Sequence, residues 1–229
     1  MVAIFVVATI LLFVGIELIR ERAAKRKPAP EAGRARIPAA DRFLIPRGYF
    51  LGNGHAWAEL LFDGKARVGM DDFLRKLVGN VDAITMPAAG TVVKRGEPLF
   101  TLHQGTRTLR IPAPLSGTVA TVNAKLAEHA QDLREDPYIR GWLAVLEPTN
   151  LSNELSMLKV ADDAAAWLKR EISRFRNFIK EHLIPAAPGE LAPVGVTLLD
   201  GGLPPMGVLE QSDSDTWVAF EKEFLTSPK

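Results

Sequence analysis

The sequence predicts a mainly β protein with helices: a small barrel or sandwich of short strands, an N-terminal transmembrane helix and a C-terminal amphipathic helix. Short apolar runs alternate with Gly and Pro from Gly48 onward, residues 2–16 lack charged or strongly polar side chains, and residues 161–184 repeat apolar side chains at helical spacing. The predicted organisation is a membrane helix at 1–19, a linker at 20–47, a barrel at 48–160, an amphipathic helix at 161–184 and an extension at 185–229.

Composition narrows the possible functions. The chain has 229 residues, of which 47% are hydrophobic, and this is ample for a packed core. Its 28 basic and 27 acidic residues leave a formal net charge of +1, which argues against a nucleic-acid partner. Cysteine is absent, so disulfides, thiolate metal sites and cysteine nucleophiles are excluded.

The membrane prediction rests on the apolar run from Val2 to Ile16, which Leu18 and Ile19 extend to near the lower limit for spanning hydrocarbon. A cleaved signal peptide is the alternative, but the run lacks a basic start and a small-x-small cleavage site. Five basic residues follow the run at once: Arg20, Arg22, Lys25, Arg26 and Lys27. The positive-inside rule then predicts a single-pass protein of the cell inner membrane, with its N-terminus outside and its soluble domain in the cytoplasm.

Two features near this segment have alternative interpretations. The basic residues serve as a topology signal, although they could also bind anionic lipid head groups. Glu17 is expected to reach the membrane interface, or to be a buried carboxylate if a partner helix covers it. The linker up to Arg47 is rich in Pro, Ala and Arg and shows no sustained period, which predicts an extended tether.

Two segments of the predicted barrel are alike. Met86–Leu102 and Ile111–Val122 share a Pro-Ala start and a Gly-Thr-Val core. The duplication predicts two half-barrels related by a pseudo-twofold axis, with turn conformations that depend on three glycines, Gly90, Gly96 and Gly117. This layout resembles that of biotinyl and lipoyl carrier domains.

Flanking motifs sharpen the resemblance. GHAW at Gly54–Trp57, VGMDDFLRKLVGN at Val68–Asn80 and EDPYIRGWLAVLEP at Glu135–Pro148 follow in the order expected for a glycine-cleavage H-protein. The chain resembles that family from about Tyr49 to Leu168. The simplest roles of these residues are structural: we expect a helix cap at Asp71 or Asp72 and core positions at Trp57, Phe73, Trp142 and Leu143.

The resemblance implies a lipoate-bearing lysine at a hairpin tip, a few residues before the second Pro-x-Ser-Gly turn. Counting back from Pro114 places that tip at Thr106, and no lysine lies between Lys94 and Lys125. Lipoylation needs a primary amine, which neither Thr106 nor its neighbour Arg107 supplies. We therefore expect no lipoate and no other cofactor. The remaining polar groups near the tip, His103, Gln104 and Arg107, are expected to form a solvated loop or, alternatively, a new contact site.

Other reactive residue types do not form recognisable sites. His55, His103, His129 and His182 are scattered without the close pairing typical of metal ligands, so no metal site is predicted. Ser116 lacks a nucleophile elbow and is interpreted as a turn residue. Asp162 and Asp163 fit a helix start. We expect no catalytic residues and no enzyme activity, although a fold alone never excludes unrecognised chemistry.

The predicted amphipathic helix carries an apolar stripe of Leu168, Ile172, Phe175, Ile179 and Leu183. The stripe could pack on the barrel, on a partner or on the membrane. A second short helix with an apolar face is predicted around Trp217, Phe220, Phe224 and Leu225. The candidate interaction residues are the aromatic ones: Trp167, Phe175, Trp217, Phe220 and Phe224.

These features predict a non-catalytic, membrane-anchored scaffold or accessory subunit, with the bilayer and other subunits of a membrane protein complex as partners. One alternative is a docking protein for lipoate-dependent enzymes of the glycine-cleavage type. Another is an adaptor resembling membrane-fusion transport proteins, but the long coiled-coil insert is missing and the basic residues predict the opposite side of the membrane.

Overall fold

The computed structural model describes residues 43–182 and 206–226. The predictions for 1–19, for most of the linker and for 183–205, including Leu183, fall outside these residues. Within them, every helix is too short or too polar to cross a membrane.

In the described residues, short strands form two antiparallel sheets. Their bounds are β1 (Tyr49–Leu51), β2 (Ala56–Leu60), β3 (Ala66–Met70), β4 (Ala83–Thr85), β5 (Val92–Val93), β6 (Pro98–Gln104), β7 (Arg107–Pro112), β8 (Gly117–Val122) and β9 (Trp142–Pro148). The larger sheet has the order β1-β2-β3-β9-β8-β5, and the smaller sheet has the order β4-β6-β7. The prediction of a mainly β fold with helices is confirmed.

The two similar segments pair with each other. Val92 of the first segment lies opposite Thr118 of the second, where β5 pairs with β8. Gly90 and Gly96 each have a φ of 86°, as expected for turn glycines. Gly117 has a different role from the predicted one: it lies within a strand, where a Cβ would come within 2.5 Å of the Glu147 carbonyl oxygen. Its lack of a side chain permits close backbone packing.

Helices lie between and after these strands in the chain. They are α1 (Asp72–Val78), α2 (Ala124–Glu128), α3 (Gln131–Glu135), α4 (Leu151–Leu155), α5 (Ala161–His182) and α6 (Ser214–Phe220), and a π-helical turn (Glu221–Leu225) follows α6 directly. Asp71 caps α1 by accepting a hydrogen bond from the Leu74 amide at 2.9 Å. Asp162 and Asp163 lie in the first turn of α5, where carboxylates interact favourably with the helix dipole.

The stripe of α5 packs on the domain itself. Leu168, Phe175 and Ile179 are buried, while Ile172 is only half-buried at the margin. The ring of Phe175 meets that of Phe73 from α1 edge to face, with centroids 5.9 Å apart. Trp57, Phe73 and Leu143 are core residues as predicted, whereas Trp142 is only partly buried.

Candidate functional site

The β6–β7 hairpin ends in a two-residue loop. Gln104 lies opposite Arg107 at the end of the paired register, which leaves Gly105 and Thr106 to make the turn. Gly105 has a φ of 57°, a left-handed conformation that suits glycine. Its amide donates to the Asp82 carboxylate at 2.6 Å. Thr106, the other turn residue, is exposed at the tip of the hairpin.

Arg107 binds the C-terminal part of the chain, which we define as the C-terminal segment, residues 206–226. Its guanidinium donates to carbonyl oxygens of Leu209 at 3.3 Å, Glu210 at 3.0 Å and Ser212 at 2.5 Å. It also lies over the Trp217 ring, 4.9 Å from the centroid. The expectation of a solvated loop is therefore wrong for Arg107, because its side chain is bound by the C-terminal segment of the same chain.

The polar residues beside Arg107 are also engaged. Gln104 is buried, donates from its side-chain amide to the carbonyls of Val78 and Asn80, and accepts from Arg107 at 2.7 Å. The imidazole Nε2 of His103 and the hydroxyl of Thr85 on neighbouring β4 lie 2.7 Å apart. The tip thus consists of a small exposed turn on a base whose hydrogen bonds are satisfied within the chain.

The C-terminal segment begins by pairing with the end of α1. The amides of Gly207 and Leu209 donate to the carbonyls of Lys76 and Leu77, at 2.7 and 3.0 Å. These contacts satisfy carbonyls that the end of a helix leaves without intrahelical partners. The backbones approach closely here, since a Cβ on Gly79 would lie 2.8 Å from the Gly207 Cα.

Further along, the segment covers part of the free edge of β7. Glu221 accepts from the backbone amide of Arg110 at 3.1 Å and from its Nε at 2.7 Å. Among the described strands, β7 lies at the edge of the smaller sheet, so its outward amides would otherwise be open to pairing with another chain. One carboxylate thus binds both the strand edge and an arginine.

An aromatic cluster joins the segment to α5. Phe175, Phe178, Phe220 and Phe224 pack with ring centroids 4.8–5.9 Å apart. The five aromatic residues proposed from the sequence as interaction candidates are all buried: Trp167, Phe175, Trp217, Phe220 and Phe224. In this conformation these side chains pack within the chain's own core, and a role for them in binding a partner stays a prediction.

Comparison with known families identifies the domain that carries this hairpin. A family model described as Glycine cleavage H-protein matches residues 49–171, more than half of the chain. The chain belongs to this family.

Individual relatives cover the same share of the chain. A probable glycine cleavage system H protein of Pyrococcus abyssi is 34% identical over 127 residues, which is 56% of this chain and 94% of the relative. Glycine cleavage system H protein 2 of Aquifex aeolicus is 33% identical over 132 residues, 57% of this chain and 82% of the relative. A crystal structure of the Mycobacterium marinum glycine cleavage system H protein aligns with 23% identity and a TM-score of 0.47, covering 56% of this chain and 98% of that one.

The match to the H-protein family ends inside α5. The later part of that helix, with Phe175 and Phe178, and the whole C-terminal segment lie beyond residue 171. The H-protein hairpin is therefore covered by a part of the chain that the family model does not include.

A buried charge network links the residue before β2, His55, to α5. His55 has no exposed surface, and its Nδ1 lies 2.8 Å from the Asp71 carboxylate. Its Nε2 lies 3.7 Å from the Glu171 carboxylate, an ion-pair contact that is too long for a hydrogen bond. Glu171 continues outward to Arg174, with an oxygen–nitrogen distance of 3.0 Å.

Electrostatics determine the protonation state of this network. Burial by itself would lower the pKa of His55, but the carboxylates of Asp71 and Glu171 outweigh burial and raise it to about 9. Burial would raise the pKa of Glu171, yet His55 and Arg174 together lower it. The histidine is therefore a buried cation at neutral pH. Sequence reasoning missed this network, although a glutamate within the apolar stripe of α5 was a signal of a buried partner.

The remaining sequence candidates have structural roles. The Ser116 hydroxyl and amide both bind the Glu154 carboxylate, at 2.5 and 2.6 Å, so Ser116 stabilises a turn. Among residues 43–182 and 206–226, no three His, Asp or Glu side chains converge as metal ligands would.

Proposed function

We propose that this H-protein family member is a non-catalytic scaffold or accessory subunit of a membrane protein complex, and that its hairpin does not carry lipoate. The observation that carries the proposal is Thr106. This residue occupies the exposed tip of the hairpin, where the family resemblance implies a lysine, and the sequence between Lys94 and Lys125 contains no primary amine.

The closed base of the hairpin supports a fixed rather than a carrying role. A swinging arm needs free space around its attachment point, whereas Arg107 beside the tip is bound to three carbonyls of the C-terminal segment. Amide attachment of lipoate to Thr106 is chemically impossible, because a hydroxyl cannot form an amide.

The membrane part of the proposal rests on sequence. The apolar run before Glu17 and the five basic residues after it support a single-pass anchor in the inner membrane, with the H-protein domain in the cytoplasm. Protease added to intact spheroplasts should leave the domain uncut, and lysed spheroplasts are the control. Digestion in intact spheroplasts would place the domain outside.

A docking protein for lipoate-dependent enzymes is the second candidate function, because the relatives carry the name of the glycine cleavage system. Purification from native membranes in mild detergent, followed by mass spectrometry, separates the two. Recovery within a membrane assembly supports the scaffold. Recovery with glycine-cleavage enzymes supports docking, and recovery of an isolated chain contradicts both.

Lipoylation is tested by comparing the parent with Thr106→Lys, both made as full chains in cells that attach lipoate. Intact mass should show no adduct on the parent. An adduct on Thr106→Lys alone would mean that the hairpin still has the shape the attachment enzyme recognises. An adduct on the parent would restore the carrier role and contradict the proposal.

A further inference from the structure

The C-terminal segment is held by arginines from two separate elements. Arg107 and Arg110 lie on β7, and Arg174 lies on α5. Arg110 pairs with Glu221 at 2.6 Å, and Arg174 contacts Glu223 at 3.4 Å. The segment has five acidic residues and one lysine, a net charge of −4, so its charge is complementary to the arginines that bind it.

Aromatic side chains provide the apolar part of the contact. Trp217 stacks against the Arg107 guanidinium and donates from Nε1 to the Leu209 carbonyl at 2.7 Å. Phe220 and Phe224 pack on Phe175 and Phe178 of α5. We call the surface formed by Arg107, Arg110, Arg174, Phe175 and Phe178 the arginine seat.

Clefts lie on both sides of the segment at the edges of this seat. A cleft of about 600 Å³ lies on the α5 side of the π-helical turn, and a cleft of about 300 Å³ lies on the β7 side. Lys222 lines both clefts and makes no ion pair within the described residues. Arg174 lines the first cleft and Arg110 lines the second, so the charged edges of the seat are accessible beside the segment.

We propose that the arginine seat is a peptide-binding site for an acidic segment with aromatic anchors from a partner protein, and that residues 206–226 occupy it in cis. The recognition chemistry is the one the chain itself displays: carboxylates on Arg110 and Arg174, carbonyls on Arg107, and aromatic rings on α5. Buried aromatic anchors with arginine contacts are the residue types that dominate protein interfaces. The site goes beyond the scaffold proposal and stands whether or not Thr106 replaces a lipoyl lysine.

The test uses the full chain in detergent solution and a fluorescent synthetic peptide with the sequence of residues 206–226. In the parent, the cis segment has an effective concentration near millimolar and should exclude the peptide. Trp217→Ala removes the anchor over Arg107, so the peptide should bind this variant at least about tenfold more tightly than the parent. Ser214→Ala is the matched control, because Ser214 lies on the same helix, is exposed and lines neither cleft.

One further variant tests where the peptide binds, and another serves if Trp217→Ala does not fold. Adding Arg107→Ala to Trp217→Ala should lower the affinity for the peptide about tenfold or more, since the charged hydrogen bonds from Arg107 to the carbonyls of the peptide are lost. Circular dichroism of each variant checks the barrel. If Trp217→Ala fails to fold, Glu221→Gln combined with Glu223→Gln loosens the segment isosterically, and the peptide should again bind more tightly than to the parent.

Several results would overturn the proposal. Equal affinity for the parent and the loosened variants would place the peptide elsewhere. No binding to any folded variant would mean that the seat recognises no peptide in trans. Unchanged binding after Arg107→Ala would remove the seat from the contact. If a scrambled peptide of the same composition bound equally well, net charge and not the peptide sequence would explain the binding.

Discussion

The H-protein domain and the C-terminal segment are held together by different forces. In the domain, strands pair along their backbones in two sheets around a continuous core. The segment makes backbone hydrogen bonds to the domain at Gly207 and Leu209, and otherwise depends on side chains: three arginines, Trp217 and the aromatic cluster. Loss of a side chain that binds the segment should therefore loosen the segment locally, whereas loss of a buried contact within the domain should lower the stability of the whole fold.

The largest expected effect is at the junction of the two regions. Phe175→Asp places an uncompensated charge among Phe73, Phe220 and Phe224, and should lower the free energy of unfolding by roughly 4 kcal/mol. Urea unfolding in detergent measures this loss. Asn177→Asp, exposed on the same helix, is the control and should change little. Equal stability of Phe175→Asp and the parent would mean that the cluster is not formed.

The next effect belongs to the domain and depends on pH. Because folding raises the pKa of His55 from 6.5 to about 9, protonated His55 stabilises the fold fully below about pH 6.5. This contribution, roughly 3 kcal/mol, should disappear as the pH rises to about 9. Unfolding free energies measured across this range should fall for the parent and stay flatter for His55→Gln. The same slope in both proteins would assign the pH dependence to other groups.

A smaller effect concerns the hairpin base. Arg107→Ala removes hydrogen bonds from Leu209, Glu210 and Ser212, and should cost roughly 2 kcal/mol. The loss should be confined to the segment, so trypsin should cut faster after Lys222 while the sheets stay intact. Arg107→Lys retains the charge without the fork of donors and should restore only part of the protection. Unchanged cleavage in Arg107→Ala would show that Arg107 does not hold the segment.

The smallest effect is expected at the tip itself. Thr106→Ala should change the free energy of unfolding by less than about 0.5 kcal/mol, because Thr106 is exposed. Thermal unfolding of both proteins provides the comparison. A large loss would mean that Thr106 has a structural role and would weaken its interpretation as a replaced attachment residue.

The sequence predicts the domain far better than the segment's position. Repeated Gly-Thr-Val units and ordered motifs indicate the barrel, and the spacing of Leu168, Phe175 and Ile179 indicates α5, because both signals are local. The contacts of Arg107 with residues more than 100 positions later have no local signal. The contact between His55 and Glu171 also has no local signal in the sequence. The spacing of the aromatic residues in the segment indicates an apolar helix face. Whether that face packs on a partner or on the chain itself depends on the tertiary fold, which has no local signal.

Hydrogen exchange of the full chain tests the central claim most directly, namely that the C-terminal segment is bound on the hairpin side of the H-protein domain. The amides of Gly207 and Leu209, and that of Arg110 on β7, should be protected, because they donate to α1 carbonyls and to Glu221. Trp217→Ala should accelerate exchange at these amides and leave β2, β3 and β9 unchanged. Exchange of residues 206–226 in the parent at the rate of an unfolded chain, with the sheets protected, would contradict the account.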